Sequence, residues 1–235
     1  MVVLPPIAKL KGLALDFLFP PRCVSCGRGG DFICASCRRS LIRITPPLCP
    51  RCGLPQPGGV LCPGCLRWQA EIDGIRSPFR FEGVIRQAVH QLKYQNLRAL
   101  AAPLAGWLGE YFQSNAMPAE VLAPVPLHPK RLRERGYNQA KLLAEELGRL
   151  INLPVAADCL IREKPTPPQA RSSTVEERRR NVAGAFACRD RRLEGQQVLL
   201  IDDVCTSGAT LDAAAAAVKA AGAATVWGLA LAREI

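Results

Sequence analysis

Two sets of residues in this sequence have the types and spacing to do chemistry. The first is Asp202, Asp203, Val204, Cys205, Thr206, Ser207, Gly208, Ala209 and Thr210, which follows the apolar run 198–201. Adjacent carboxylates accept hydrogen bonds from hydroxyls or face a divalent cation. Behind them, Thr206, Ser207 and Thr210 offer hydroxyls, and Gly208 lets the backbone come close to a ligand. The unpaired amides of the helix that starts near Leu211 complete an anion cradle with two carboxylates at its lip. Those carboxylates repel a bare phosphate, so the guest that suits the site carries hydroxyls or a divalent metal beside its phosphate. No GxxxxGK[ST] occurs in the chain, which argues against a nucleoside-triphosphatase loop.

The second set is eight of the eleven cysteines, in four CxxC pairs: Cys23/Cys26, Cys34/Cys37, Cys49/Cys52 and Cys62/Cys65. The first two pairs recur with offsets of 26 and 28, and Gly27 and Gly53 follow the second cysteine of each half. A glycine there lets the chain turn around a metal so that amides point at the sulfurs. Residues 22–67 hold few large apolar side chains, so metal binding must supply the folding free energy that burial lacks. The expected sites are one Zn²⁺ on Cys23, Cys26, Cys34 and Cys37 and another on Cys49, Cys52, Cys62 and Cys65. The intact duplication favours these sequential sets over a cross-brace, although an exchange of pairs satisfies the same counts. Four thiolates also suit an iron–sulfur cluster. A closed four-thiolate shell leaves no open position, which makes the metals structural. Cys159, Cys188 and Cys205 have no paired spacing and read as buried small hydrophobes.

These residues need elements to hold them. Asp202 and Asp203 end a strand over 197–201, the helix 211–221 closes on Gly222, and a strand over 225–231 completes a β-α-β unit. Such a unit gives a parallel sheet with helices on both faces. Upstream, apolar spacing predicts helices over 85–94, 97–112 and 138–150, and strands over 121–125, 157–161 and 183–187. Residues 71–78 read as a linker between the cysteine module and the larger domain. His90 reads as a partly exposed helix position. Residues 162–177 lose periodicity, as a lid or binding loop would.

With 31 basic and 20 acidic residues, the formal charge is +11. Eight thiolates and two Zn²⁺ would bring it down to about +7, so the sign still suits polyanionic substrates or nucleic acid. No stretch approaches the roughly 18 unbroken apolar residues of a membrane span. Residues 1–19 mix prolines and charges among their apolar positions and read as a short amphipathic helix over 7–19 rather than a secretory signal. Ligand-type cysteine usage places the chain in the cytoplasm. The organisation expected is an N-terminal amphipathic helix (1–21), a cysteine module (22–70) and an α/β domain (79–235).

Residues 198–210 resemble the phosphoribosyl-pyrophosphate signature of type I phosphoribosyltransferases. Together with the cysteine-rich front end, the whole chain resembles the ComF family of bacterial competence-related proteins. The resemblance implies a parallel-sheet phosphoribosyltransferase-like domain behind a double zinc ribbon, with phosphoribosyl pyrophosphate and Mg²⁺ as ligands. It gives Asp202 and Asp203 the ribose hydroxyls and Thr206–Thr210 the 5′-phosphate. It places pyrophosphate at the loop after the first sheet strand, here Leu127, His128, Pro129 and Lys130, with Arg131 leading an arginine tract into Gly136-Tyr-Asn-Gln139. It also sets a mobile hood over 162–177 and links the chain to DNA uptake and natural transformation. Purine-salvage relatives carry an Asp where Thr206 stands, so a carboxylate to deprotonate a purine is missing and the acceptor stays open. The alternative is a non-catalytic protein that binds single-stranded DNA or a DNA-uptake helicase and keeps the sugar-phosphate site.

Overall fold

In the computed structural model, which describes residues 21–164 and 174–235, strand β6 (Gln197–Cys205) is the axis of the sheet. Before it come β1 (Gly74–Arg76), β2 (Phe79–Arg80), β3 (Val121–Pro124), β4 (Leu160–Arg162) and β5 (Phe186–Cys188), and after it β7 (Thr225–Arg233). The main sheet has the order β1-β7-β6-β3, with β2 also on β7, and all of its pairings are parallel. Parallel strands must be covered on both faces, and β6 shows how its apolar run serves this. Val198 and Leu200 pack into one layer and Leu199 and Ile201 into the other, all four fully buried.

The helices follow from that division. In the cysteine module lie α1 (Ala35–Arg39) and α2 (Pro63–Leu66), and then come α3 (Gly83–Tyr94), α4 (Ala101–Ser114), α5 (Pro129–Arg135) and α6 (Gln139–Ile151). The last two are α7 (Val175–Val182) and α8 (Ala209–Ala220). Residues Ile85, Val89 and Leu92 of α3, Leu104 and Leu108 of α4, and Leu143 and Leu147 of α6 fill one layer. On the other face, Leu211, Ala214, Ala215 and Val218 of α8 form a thin alanine stripe against β6 and β7. The β6-α8-β7 unit therefore matches the expected parallel connection.

Three expectations need correction. Residues 71–78 are not a linker: they carry β1, and Ile72 and Ile75 are buried in the core. Asp73 holds the segment in place, its carboxylate accepting from the Val226 amide at 2.7 Å and from Lys219 Nζ at 2.8 Å. The strand expected over 157–161 is displaced to β4 and pairs antiparallel with β5, outside the main sheet. The sheet contact falls instead at Val155, bridged to Leu122 behind the proline carbonyl of residue 154. Residues 183–185 end a helix before the strand starts, because the Ala183 and Ala185 amides bond back to carbonyls of Arg179, Arg180 and Val182. The expected helix over 7–19 and most of the hood, 165–173, lie outside the described residues. The described end of that stretch contains α7, capped by the Thr174 hydroxyl, which accepts from the Glu177 amide at 3.1 Å.

Candidate functional site

At the C-terminal edge of β3 and β6 the chain leaves a cleft of about 970 Å³. The Val125 amide donates to the Ile201 carbonyl at 2.9 Å, which fixes the two strand ends side by side. A parallel sheet presents its ligands at this edge. Asp202, Asp203, Val204, Thr206 and Thr210 line the cleft, with Asp203 only 2% exposed. Cys205, Ser207, Gly208 and Ala209 form the turn behind them. Gly208 has φ +82°, and a Cβ there would come within 2.9 Å of Ile75 and 3.2 Å of the Trp68 ring. The turn is thus seated on the cysteine module. Asp212 in the first turn of α8 accepts from the Glu71 and Ile72 amides at 2.8 and 3.0 Å, which ties the segment between the module and β1 to the helix start.

The carboxylates are not equivalent. Lys93 Nζ of α3 lies 2.8 Å from Asp203 Oδ2. Burial works against the lysine's charge, yet the Asp203 carboxylate raises Lys93 above its ordinary value. Asp202 turns Oδ1 to the Asp203 amide at 2.8 Å. Burial, then the negative charge of Asp203, push the Asp202 carboxyl up to about 7. A hydroxyl donor or a second cation beside Asp202 would relieve that pressure, so the donor set fits a ribose with an associated Mg²⁺.

Of the residues expected on the pyrophosphate side, Leu127 and Arg131 line the cleft, while His128, Pro129 and Lys130 are not among its lining residues. The reason is that 129–135 is a helix and not an open loop. Pro129 is its first residue, His128 Nδ1 accepts from the Lys130 amide at 3.3 Å, and Gly136 ends it in the left-handed region. Helical spacing turns Arg131 and Arg135 to the cleft, whereas Arg133 is exposed and outside its lining. Facing Arg131 is Arg162 of β4, pressed below its ordinary value by burial and then by the charge of Arg131. Two guanidiniums lining one cleft suit an anion. Lys93, Arg98 and Arg162 were missed by sequence reasoning. Each reaches the cleft from an element far away in the chain, and only their basic type hinted at them. His90 is exposed, as expected, but lines the cleft.

The eight cysteines form two sequential tetrads, 23/26/34/37 and 49/52/62/65, with all ligand atoms of each within 4.8 Å of one another. The sulfurs of Cys26 and Cys34 are 3.6 Å apart, and those of Cys52 and Cys62 3.7 Å. The edge of a tetrahedron with Zn–S arms of 2.3 Å is about 3.8 Å, so the donor geometry fits zinc. The Cys34 amide donates to Cys23 Sγ and the Cys62 amide to Cys49 Sγ, both at 3.5 Å, as the duplicated turns require. Hydrogen bonds from Ser36 and the Cys37 amide lower Cys34 to about 6. Against burial, the amides of Cys52, Cys62 and Arg51 bring Cys49 to about 6 as well. The module packs into the domain on both of its layers. Cys49, Cys52, Cys65 and Trp68 are buried in the α8 layer, while Val24, Phe32 and Ile33 pack on the opposite layer. Arg51 Nη1 holds the carbonyls of Cys65 and Trp68, and Arg233 Nη1 reaches the Cys52 carbonyl and Cys205 Sγ. Among the three remaining cysteines, Cys159 and Cys205 are buried and Cys188 is half-buried. No helix among the described residues is long and apolar enough to cross a membrane.

Comparison with known proteins agrees with this geometry. Residues 14–66 match the Double zinc ribbon domain family, and residues 134–233 match the Phosphoribosyl transferase domain family. The Competence protein ComFC of Bacillus subtilis is 31% identical over 193 residues, covering 78% of this chain and 76% of that protein. The Competence protein F of Haemophilus influenzae is 30% identical over 224 residues, covering 89% and 96%. The DNA utilization protein YhgH of Salmonella typhi is 31% identical over 200 residues, covering 83% and 87%.

Proposed function

Because this chain belongs to the ComF family, we propose that its cleft binds phosphoribosyl pyrophosphate, or a related sugar phosphate, with Mg²⁺ and serves DNA uptake and natural transformation. The observation that carries the reading is the pairing of an acidic lip, half-buried Asp202 and buried Asp203, with the turn 206–210 at one parallel-sheet edge. Asp202 accepts from ribose hydroxyls and Thr206–Thr210 hold the 5′-phosphate. Arg131 and Arg162 take the pyrophosphate, and Lys93 neutralises Asp203 so that the dianionic lip does not repel the ligand. Bound Mg²⁺ supplies further charge neutralisation at the pyrophosphate. Thr206 offers no carboxylate for removing a proton from a purine, so the site is better built to bind and position the sugar phosphate than to run purine salvage. The zinc ribbons are structural, and Trp68 beneath Gly208 makes the second of them a support of the phosphate turn.

A second reading, single-stranded DNA along the arginines of α5, is favoured by the exposure of Arg133 beside the cleft-facing Arg131 and Arg135. The tract near 191 contributes less, since Arg191 pairs with Glu194 and Arg192 with Asp158 and Asp190. A salt series on the wild type separates the two readings. It is run with labelled single-stranded DNA and with phosphoribosyl pyrophosphate plus Mg²⁺, each also tried as competitor of the other. DNA held by phosphates weakens steeply as salt releases counterions, and neutral replacement of Arg131, Arg133 and Arg135 lowers its affinity with little sequence dependence. Sugar-phosphate binding that persists near physiological salt while DNA binding vanishes supports the first reading alone. Competition places both in one cleft, and absence of DNA binding at low salt removes the second reading.

A further inference from the structure

Among the described residues two charged side chains are buried, Asp203 at 2% exposure and Arg233 at 3%. Asp203 has Lys93 as its partner. Arg233 has no carboxylate partner among the described residues, and its buried Nε has no hydrogen-bond partner. Its Nη1 donates to the uncharged Cys52 carbonyl and, at 3.2 Å, to Cys205 Sγ. Burial raises the Cys205 thiol above its ordinary value, so that sulfur is a neutral acceptor and no counter-ion. The backbone fixes where the guanidinium can go. Arg233 stands opposite Cys205 across β6 and β7, and its carbonyl accepts from the Phe81 amide at 2.8 Å. One side chain therefore touches both a residue of the second cysteine tetrad and the residue that opens the phosphate turn.

A buried guanidinium without a counter-charge is among the costliest groups a core can hold. The second tetrad supplies the missing charge, because four thiolates around one Zn²⁺ leave two net negative charges. Cys49, Cys52 and Cys65 are buried as Arg233 is, so the opposite charges share a region where water screens them little. The first tetrad differs, with Cys26 exposed to solvent. We propose that Arg233 is a positioning residue that couples the second tetrad to the phosphate turn. On the Cys52 side it balances the charge of the zinc-loaded tetrad, and on the Cys205 side it holds the turn that takes the phosphate. Zinc affinity at Cys49, Cys52, Cys62 and Cys65 and sugar-phosphate affinity at 206–210 then strengthen each other by the same factor. The coupling rests on the sugar-phosphate reading above. A packing role alone would depend on the volume of the side chain and not on its charge.

The test is equilibrium competition for zinc between the full chain and a colorimetric chelator, with and without saturating ribose 5-phosphate. In the wild type the sugar phosphate raises the affinity of one of the two zinc equivalents about fivefold or more and leaves the other unchanged. Cys23→Ser, which keeps only the second tetrad, shows the response, and Cys49→Ser, which keeps only the first, does not. Arg233→Met lowers the affinity of the responsive equivalent about tenfold or more and removes its response, while Arg233→Lys, which keeps the charge, recovers the zinc affinity. Equal weakening of both equivalents in Arg233→Met, or no recovery in Arg233→Lys, assigns Arg233 to packing and overturns the proposal. Ribose 5-phosphate that binds the wild type by calorimetry without changing either zinc affinity overturns the coupling and leaves the sugar-phosphate reading intact. Ribose 5-phosphate that does not bind the wild type overturns the phosphate-turn reading and the coupling with it. The wild-type comparison needs no substitution at 233, so it decides the coupling whether or not Arg233→Met folds.

Discussion

Replacing Gly208 with alanine tests whether the zinc-bearing module holds the phosphate turn. The residue sits at φ +82°, where an L side chain costs about 1–2 kcal/mol. The new Cβ would lie 2.9 Å from Ile75 Cδ1 and 3.2 Å from the Trp68 ring. The Ile75 methyl is the end of a flexible chain and can give way. Trp68 has less freedom, because its carbonyl is held by Arg51 at 2.8 Å and its ring is covered by the Arg179 guanidinium at 4.3 Å. Overpacking of this kind costs about 1–3 kcal/mol, which together with the backbone cost gives a loss of roughly 2–5 kcal/mol. For a chain of this size that is a fall in Tm on the order of 10 °C. Denaturant unfolding of Gly208→Ala, Trp68→Leu and the double variant forms a cycle. A smaller side chain at 68 relieves the steric part, so the double variant is less destabilised than the sum of the singles, by about 1 kcal/mol or more. A Gly208→Ala loss below about 0.5 kcal/mol, or strict additivity, refutes the buttress.

Two further outcomes follow from the same geometry. Protein prepared anaerobically without chelator carries two equivalents of zinc by elemental analysis, and Cys23→Ser and Cys49→Ser each lose one. Cys49→Ser lowers the thermal midpoint further, because Cys49 is fully buried in the α8 layer while Cys23 belongs to neither core cluster, and equal losses would refute that difference. Asp202 supplies a pH dependence. Its folded value of about 7 lies above the ordinary 3.8, so the folded state keeps a proton that the unfolded chain has released. That contribution to stability is present at low pH and is lost as pH rises through about 7. Between pH 6 and 8 the wild type loses about 1 kcal/mol relative to Asp202→Asn. Denaturant midpoints that shift in parallel at the two pH values would show that burial does not act on this carboxyl.

The β6-α8-β7 unit was legible because its signals are local and agree. An apolar run, an acidic pair, a glycine and an alanine-rich helix follow one another within 25 residues of chain. The cysteine tetrads were legible for the same reason, since duplication reports itself in spacing. What stayed hidden depends on distant partners. The strand Gly74–Arg76 has too few residues to show a period, and only β7, some 150 positions later, makes it a strand. Nothing in its own helix marks Lys93, and only the fold brings Asp203 to 2.8 Å from it. Helix α7 did leave a local mark, Thr174 three residues before Glu177, but the prolines and serines before it outweighed that capping signature. The basic tract at 131–135 was read as a loop although Pro129 at a first helical position and Gly136 after the last turn bracket a helix. That reading set His128 and Lys130 beside Arg131, whereas the basic residues of this helix that line the cleft are Arg131 and Arg135.

The central claim is that the acidic lip and the turn 202–210 hold a sugar phosphate. Its most direct test is calorimetric titration of phosphoribosyl pyrophosphate, with and without Mg²⁺, into wild type and into the Asp202→Ala, Asp203→Ala double variant, with zinc content checked to show that the ribbons are intact. The wild type binds and Mg²⁺ strengthens the binding, while the double variant loses about tenfold or more in affinity as charge-assisted contacts to the ribose disappear. Unchanged affinity in the double variant, with the fold retained, would contradict the claim.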